Sequence, residues 1–255
     1  MRQTIRALGW ATNIFWIILL FFTVTAVYSA FQIRPGFGQP YTNTSDGTMI
    51  ASLPFYIDNG GFYDITNVNL TTLVKDNGGL PISGSSTFVR AIPRGSNVSV
   101  THNMTISINQ MTTESLSYLL FNDSNLEIDI ALKLDYADAV PFKISTNSIV
   151  PWGAPLSNLT IGKVSASPYN ATHFRVIVPV DFENHSPFSL DGTMRLELTD
   201  NNDHLLVSGR GSIPAQGGSV PIEVFVSDPT SIRKVRLSFA TSIFNYGPVV
   251  IPIHV

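Results

Sequence analysis

LPFYIDN, residues 53–59, and VPVDFEN, residues 178–184, are two copies of one short pattern. Each copy has a proline after its first apolar residue, apolar residues at every second position, and an acidic residue followed by asparagine at its end. Side chains at alternate positions lie on the same face of a β-strand. Aligning the two prolines superimposes two apolar faces: Leu53, Phe55 and Ile57 on Val178, Val180 and Phe182. The pattern therefore predicts the same strand twice, each time with a proline inside it.

The proline restricts where this strand can lie in a sheet. Pro54 and Pro179 have no backbone N–H, so they do not fit a fully paired central strand. We expect them either on an edge strand or at a β-bulge that turns the missing donor away from the ladder. A bulge would also discourage strand-to-strand aggregation at this position.

The repetition continues along the chain. Two further pairs of segments match in their alternation and turn residues: 68–79 with 192–203, and 89–100 with 209–220. Both halves end in two strand-like runs with a turn between them, at residues 128–146 and 234–255. The sequence therefore predicts a tandem duplication, with units at residues 45–150 and 158–255 and a proline-stiffened linker at residues 151–157.

Each unit is expected to be an antiparallel β-sandwich, which makes the fold class all-β. About six or seven short strands alternate with turn residues roughly every ten positions, as is typical of sandwiches. There are too few helical segments for parallel βαβ winding. One short helix is predicted within TTESLSYLLFN, residues 112–122, with Thr112 or Thr113 as its N-cap.

The amino terminus carries a long apolar run. Residues 7–31 contain no charged side chain, and at 1.5 Å per residue this stretch exceeds a hydrocarbon core of about 30 Å. A cleaved signal peptide would have a shorter apolar region and a small residue where the bulky Tyr28 stands. We therefore expect an uncleaved transmembrane helix. Arg2 and Arg6 predict that residues 1–6 are cytoplasmic, and residues 32–44 are interpreted as a juxtamembrane linker.

Candidate glycosylation sites support the same orientation. Chance predicts about three to four N-x-S/T sequons for this content of Asn, Ser and Thr. The chain has more, and all of them follow the apolar run: Asn43, Asn69, Asn97, Asn103, Asn122, Asn158, Asn170 and Asn184. The alternative is that a chain rich in these residues forms sequons by accident. With no cysteine at all, the chain cannot form disulfides, and this combination favours an archaeal surface protein over a disulfide-bonded animal one.

Composition and motifs argue against several other functions. Only 13% of residues are charged and the formal net charge is −3, without a basic run, so we expect no nucleic-acid partner. Nucleotide-binding and hydrolase motifs are absent from the sequence. The histidines lack the spacing of a metal site. TDNNDH (199–204) and LDYADA (134–139) could offer oxygen ligands to calcium, but hairpin turns use the same residues. We therefore expect no enzyme, and no catalytic, cofactor-binding or metal-binding residue.

Each unit resembles the LEA-2 or water-stress-hypersensitive-response (WHy) domain over about 200 residues of the chain in total. The resemblance rests on an alternating strand ending at Asn59 and at Asn184, on Ile92–Pro93 and Ile213–Pro214 before a long strand, and on the final hairpins. Neither asparagine is followed by the Pro-Asn of the family motif. The resemblance implies an immunoglobulin- or fibronectin-like sandwich, displayed outside the cytosol in single-span plant members, and no catalytic residues.

These expectations combine into one functional hypothesis. The chain is predicted to be a single-pass, extracytoplasmic scaffold of the cell envelope, bound to the bilayer through residues 7–31 and to other envelope proteins through exposed sheet edges. The alternative hypothesis is that one sandwich opens between its sheets to bind a lipid or another small apolar ligand. That alternative predicts a cavity lined by residues such as Phe55, Phe88 and Phe121.

Overall fold

The amino-terminal apolar run forms one long helix. In the computed structural model, which describes residues 2–45 and 47–253 with side chains from residue 10 onward, α1 spans Arg2–Ala30. It begins before the predicted span of residues 7–31 and ends one residue before the end of that span. The part from Trp10 to Ala30 has a mean hydropathy of 1.9 and is long and apolar enough to cross a membrane. The helix ends in a turn in which the backbone N–H of Gln32 donates to the carbonyl oxygen of Ser29 over 3.0 Å.

The first sandwich contains eight antiparallel strands in two four-stranded sheets. Its strands are β1 (Ile33–Phe37), β2 (Tyr41–Ser45), β3 (Thr48–Asn59), β4 (Ile65–Lys75), β5 (Pro81–Ile92), β6 (Ser96–Ser107), β7 (Ser124–Tyr136) and β8 (Val140–Trp152). In one sheet, β3 pairs with β6 on one side and with β1 and β2, end to end, on the other. The second sheet has the order β5-β4-β7-β8.

The second sandwich repeats this topology strand for strand. Its strands are β9 (Ser157–Ile161), β10 (Ser165–Pro168), β11 (Phe174–Glu183), β12 (Gly192–Thr199), β13 (Leu205–Ile213), β14 (Gly217–Val226), β15 (Lys234–Thr241) and β16 (Asn245–Pro252). Strand β11 pairs with β14 on one side and with β9 and β10 on the other, and the second sheet has the order β13-β12-β15-β16. The predicted all-β fold, two tandem antiparallel sandwiches after an amino-terminal helix, is confirmed.

The two prolines occupy the same place in both copies. Pro54 and Pro179 lie in the middle of β3 and β11, at the break between the two short strands on one side. At that break the carbonyl oxygen of Pro54 accepts from Gly38 N–H over 2.8 Å, and that of Pro179 accepts from Gly162 N–H over 2.9 Å. The nitrogen of a strand residue faces the same neighbour as its carbonyl, so the missing donor falls where the ladder is already interrupted. The prolines are therefore neither on a sheet edge nor on a bulge of their own strand.

Three segments differ from the sequence-based interpretation. Residues 32–44 are not a linker, because β1 and most of β2 lie there and pair with β3. Residues 151–157 are not a separate linker, because β8 continues to Trp152 and the side chains of Trp152 and Leu156 are buried. A helix was predicted at residues 112–122, but the structure has only one turn there, α2 (Tyr118–Phe121), because the backbone at Thr113 is extended.

One hydrophobic cluster runs through both sandwiches. It extends from Ile106 in the first to Leu237 in the second, with Trp152 between them. The indole N–H of Trp152 donates to the carbonyl oxygen of Leu119 over 2.9 Å, and its ring lies 6.4 Å from that of Phe188. A smaller cluster at the opposite end of the first sandwich includes Ala26 of α1 and Tyr136 of β7. The two sandwiches are therefore joined by a continuous core.

Candidate interaction surface

Strand β8 is an open edge of the first sandwich. All of its residues pair with β7, in continuous register from Tyr136 opposite Val140 to Ser124 opposite Trp152. Among the described strands, no other pairs with β8. Residues 141–151 are all exposed, which is eleven consecutive positions. The strand therefore offers an unpaired row of backbone donors and acceptors along its outer side.

The ends of this row are marked by prolines. A proline in a paired edge strand has to turn its nitrogen away from the ladder. Pro141 and Pro151 both pair with β7, so the odd-numbered residues of β8 direct their backbone groups outward. The free N–H groups between the prolines are then those of Lys143, Ser145, Asn147 and Ile149. An added strand could form about eight hydrogen bonds along this stretch.

Exposed apolar side chains accompany the open edge. Phe142 and Ile144 are 45% and 65% exposed on the face of β8 that continues the inner face of the sheet. Their partners on β7, Leu134 and Leu132, are only half-buried. The sheet therefore extends beyond the facing sheet and leaves an apolar strip next to the unpaired backbone.

The corresponding edge of the second sandwich is protected. Strand β16 contains Pro248 in its middle and Pro252 at its end. Its pairing with β15 shifts register between Leu237 and Phe239. Prolines and bulges are the usual devices that block pairing with another strand. Of the two equivalent edges, β8 is the one with an uninterrupted stretch, residues 142–150, between its prolines and without a register shift.

The end of α1 is clamped against the base of the first sandwich. Ser29 is fully buried, and its hydroxyl accepts hydrogen bonds from the N–H of Phe62 and from the hydroxyl of Tyr136. The hydroxyl of Thr25 is 2.7 Å from that of Tyr63, and the ring of Phe22 contacts the ring of Tyr63 edge-on at 5.5 Å. Two turns of the helix are therefore part of the packed base of the sandwich.

His102 lies inside the first sandwich and is only 3% exposed. Its Nε2 is 2.8 Å from the hydroxyl of Thr72 and 3.1 Å from that of Ser85, and its Nδ1 is 2.8 Å from the hydroxyl of Thr87. Burial lowers the pKa of His102, because the charged imidazolium loses its hydration. No carboxylate appears among these partners. The arrangement is that of a neutral, hydrogen-bonded core histidine.

His185 bridges the two sandwiches. Its Nδ1 is 2.7 Å from Asp123 Oδ2, and its Nε2 is 3.0 Å from Glu183 Oε2. These contacts raise the pKa of His185, chiefly through the hydrogen bond to Asp123. The pKa of Asp123 is lowered, first by the N–H of Ala154 and then by His185. The three groups form an exposed hydrogen-bonded bridge between the two sandwiches, which becomes an ion pair when His185 is protonated.

The other residues singled out by the sequence do not converge on a site. Phe55 is in the core, Phe88 is exposed on β5, and Phe121 packs against Tyr246, so these three rings do not line one cavity. Within the described residues, no group of three His, Asp or Glu side chains is placed to hold a metal ion. In TDNNDH, Asp200 Oδ1 accepts from the N–H groups of Asn202 and His204, which is the hydrogen bonding of a turn. His254 lies outside the described residues.

The eight candidate glycosylation sites divide into two groups. Six asparagines are exposed: Asn43, Asn97, Asn103, Asn122, Asn158 and Asn170. Asn69 and Asn184 are half-buried. The amide nitrogen of Asn184 donates to the carbonyl oxygens of Phe188 and Ala215 over 2.8 and 2.9 Å, so both of its N–H bonds are used. Asn59 makes the equivalent pair of bonds, to Tyr63 and Ile92, in the first sandwich.

Comparisons with known proteins identify no family for this chain. No family model matches the chain, and no curated protein matches it. The periplasmic chaperone SfaE is 11% identical over 86% of this chain and 98% of its own, with a TM-score of 0.32. A red sea bream transglutaminase is 17% identical over 88% of this chain, with a TM-score of 0.30, and a β-glucuronidase of glycoside hydrolase family 2 is 19% identical over 50%, with a TM-score of 0.28. This chain spans 31% of that transglutaminase and 11% of that glucuronidase. At these TM-scores none of the similarities carries an argument.

Proposed function

We propose that this protein is a single-pass membrane scaffold of the cell envelope, whose first sandwich binds an extended segment of another envelope protein along β8. In this proposal α1 is the membrane anchor, Arg2 and Arg6 lie on the cytoplasmic side, and both sandwiches lie on the other side, with the first one packed against residues 22–29 of the helix in the outer leaflet. The function is non-catalytic, in keeping with the resemblance of each unit to the LEA-2 or WHy domain. Binding proceeds by β-strand addition, in which backbone hydrogen bonds supply affinity and side-chain contacts supply specificity.

The observation that supports this proposal is the open edge of β8. Long, flat, apolar edges invite aggregation, and proteins normally block them, as this chain does at β16. Keeping β8 open over residues 142–150 therefore favours a role in binding. The flanking prolines limit the added strand to the stretch between them. The apolar strip at Phe142 and Ile144 offers contacts for alternate side chains of the incoming segment.

The exposed asparagines fit the proposed orientation. We expect glycans on the six exposed sites and none on Asn184 in the folded protein. A glycan replaces one N–H of the side-chain amide, so one of the two carbonyls bonded by Asn184 would lose its partner. Loss of such a bond in a part-buried setting costs about 1–3 kcal/mol.

Photo-crosslinking in native membranes tests the strand-addition proposal. The full chain would carry p-benzoylphenylalanine at Asn147 on the open edge or, as a control, at the exposed Thr101 of β6. We expect a discrete protein adduct from position 147 only. Ser145→Pro removes one outward N–H without breaking the pairing with β7 and should reduce the adduct at least tenfold. Ser145→Ala keeps the N–H and should leave the adduct unchanged.

Two results would contradict the proposal. An adduct that survives Ser145→Pro would show that the contact does not use the backbone edge. Equal adducts from positions 147 and 101 would show that β8 is not a preferred surface. Hydrogen exchange gives an independent readout, because the amides of Lys143, Ser145, Asn147 and Ile149 should become protected only in the complex.

A further inference from the structure

An apolar groove separates α1 from the hairpin of β7 and β8. It has a volume of about 460 Å3 and lies beside the point where Ser29 is hydrogen-bonded to the sandwich. One wall consists of a stripe of the helix that includes Phe22, Ala26 and Ala30. The other wall belongs to the first sandwich and includes Tyr136, Val140 and Phe142. The groove therefore lies between a helix able to span a membrane and the part of the first sandwich that packs against that helix.

The polar groups of the groove walls are occupied within the protein. The hydroxyl of Thr23 donates to the carbonyl oxygen of Leu19 over 2.8 Å. The hydroxyl of Tyr136 donates to Ser29, so that its ring is what faces the groove. The remaining lining side chains named here are hydrocarbon. A ligand that needs hydrogen bonds would find few partners, whereas a hydrocarbon chain would leave no polar group unsatisfied.

The dimensions of the groove fit a single chain. The groove follows the helix from Phe22 to Phe31, a distance of about 13 Å at 1.5 Å per residue. A volume of about 460 Å3 over that length corresponds to a mean cross-section of about 35 Å2.

The groove lies along the part of α1 that would cross one half of the bilayer. Trp10 to Ala30 covers about 30 Å, the thickness of a hydrocarbon core, and the groove follows the second half of this length. With the orientation proposed above, the groove lies in the outer leaflet. A void at that depth would be filled by lipid rather than by water.

We propose that this groove holds an acyl chain of a bilayer lipid, held between α1 and the hairpin of β7 and β8. The site differs from a cavity between the two sheets of a sandwich, because one of its walls is the membrane helix. Each buried methylene contributes about 0.8 kcal/mol relative to water, but relative to the bilayer the preference is smaller and depends on fit. The proposal rests on the proposed membrane topology, so its test has to separate the two.

Photolabelling of the full chain in phosphatidylcholine vesicles provides that test. A small fraction of the lipid would carry a diazirine on its acyl chain, and adducts would be mapped by mass spectrometry after irradiation. We expect adducts on residues 14–21 of the helix and also on residues 136–142 of the hairpin. Ala30→Phe fills the groove and should reduce the hairpin adducts at least fivefold without changing those on residues 14–21.

Matched variants guard against a trivial result. Val24→Phe makes a similar enlargement on a side chain that is 61% exposed and does not line the groove, so it should leave the hairpin adducts unchanged. Should Ala30→Phe fail to fold, Phe142→Ser places a hydroxyl in the opposite wall of the groove. This second variant should also reduce the hairpin adducts without changing those on residues 14–21.

The outcomes are distinguishable. Adducts on residues 14–21 without any on 136–142 would overturn the groove proposal and leave the membrane anchor intact. A complete absence of adducts would overturn the anchor as well. Hairpin adducts that persist in Ala30→Phe would show unspecific contact with lipid. Protein–protein adducts between the hairpin and a second chain would assign the groove to a dimer contact and overturn the proposal.

Discussion

At the scale of single residues, the two sandwiches have different interiors at equivalent positions. His102 pairs with Leu53 next to Pro54, and Ile222 pairs with Val178 next to Pro179. The first sandwich thus has a hydrogen-bonded histidine where the second has a buried isoleucine. A buried neutral histidine makes folding sensitive to protons, whereas an isoleucine does not.

We predict that acid weakens the first sandwich through His102. Its folded-state pKa lies below the unfolded value near 6.5, so the unfolded chain binds more protons and stability falls as the pH drops below about 6.5. His185 has a raised pKa and acts in the opposite sense, since its contribution is present at low pH and is lost as the pH rises through that raised value. The difference in unfolding free energy between the wild type and His102→Ile therefore isolates the contribution of His102.

Urea unfolding between pH 5 and pH 7.5 measures this difference. The wild type should lose stability relative to His102→Ile as the pH falls. His173→Gln, at an exposed position, should follow the wild type. A difference that does not change with pH would show that His102 titrates normally in the folded protein.

At the scale of elements, the glycines of strand β13 are in close contact with side chains of β14, whereas the glycine of β5 has no such close neighbour. A Cβ built on Gly209 would lie 2.6 Å from Val224 Cγ1, and one built on Gly211 would lie 2.6 Å from Val220 Cγ1. In β5, a Cβ on Gly84 would meet nothing closer than 3.7 Å. The glycines of β13 therefore allow β-branched side chains of β14 to pack against the strand backbone.

We predict opposite effects for the same substitution in the two strands. Gly209→Ala forces side chains into occupied space and should lower the free energy of unfolding by about 1–3 kcal/mol. Gly84→Ala has room and should be neutral or stabilising by up to about 1 kcal/mol, because glycine is unfavourable inside a strand. Urea unfolding of both variants compares them directly, and equal losses would contradict the packing argument.

The sequence predicted the strands in which apolar residues recur at every second position, and it did not predict the strands that lack this alternation. The strand around Pro54 was predicted because its apolar residues recur at every second position over a long stretch. Strand β1 was missed because it reads IRPGF, whose proline and glycine are typical of a loop. The break in the neighbouring strand, which makes Pro54 acceptable, depends on Gly38 sixteen residues earlier, and only pairing in space connects the two. The open edge of β8 could not be predicted either, since the local alternation of residues does not determine the order of strands in a sheet.

At the scale of the whole molecule, the two sandwiches are connected by a shared hydrophobic core and not by a linker alone. The sequence suggested a stiff linker from Pro151 and Pro155, because a short stretch with two prolines is typical of one. It could not show that Trp152 would reach Leu119 and Phe188, since those contacts join distant segments. The two units are therefore expected to unfold together.

We predict that Trp152→Ala separates their unfolding. Removing a buried tryptophan costs about 3–5 kcal/mol and here leaves a cavity in the core that the two units share. The wild type should unfold in one cooperative step, and the variant in two. Differential scanning calorimetry measures the number of transitions, with Trp10→Ala as a control because Trp10 is 72% exposed on α1. Two transitions in the wild type would show that the core does not couple the units.

In the proposed topology, the hydrogen bonds of Ser29 fix the first sandwich directly to the membrane helix, without a flexible linker between them. Transmembrane helices change tilt when membrane thickness changes. In this molecule the first sandwich would rotate together with the helix. Because β8 is roughly 40 Å long, a rotation of 10° moves its far end by about 7 Å. In the proposed topology, the height and angle at which the protein presents β8 would therefore depend on the thickness of the membrane.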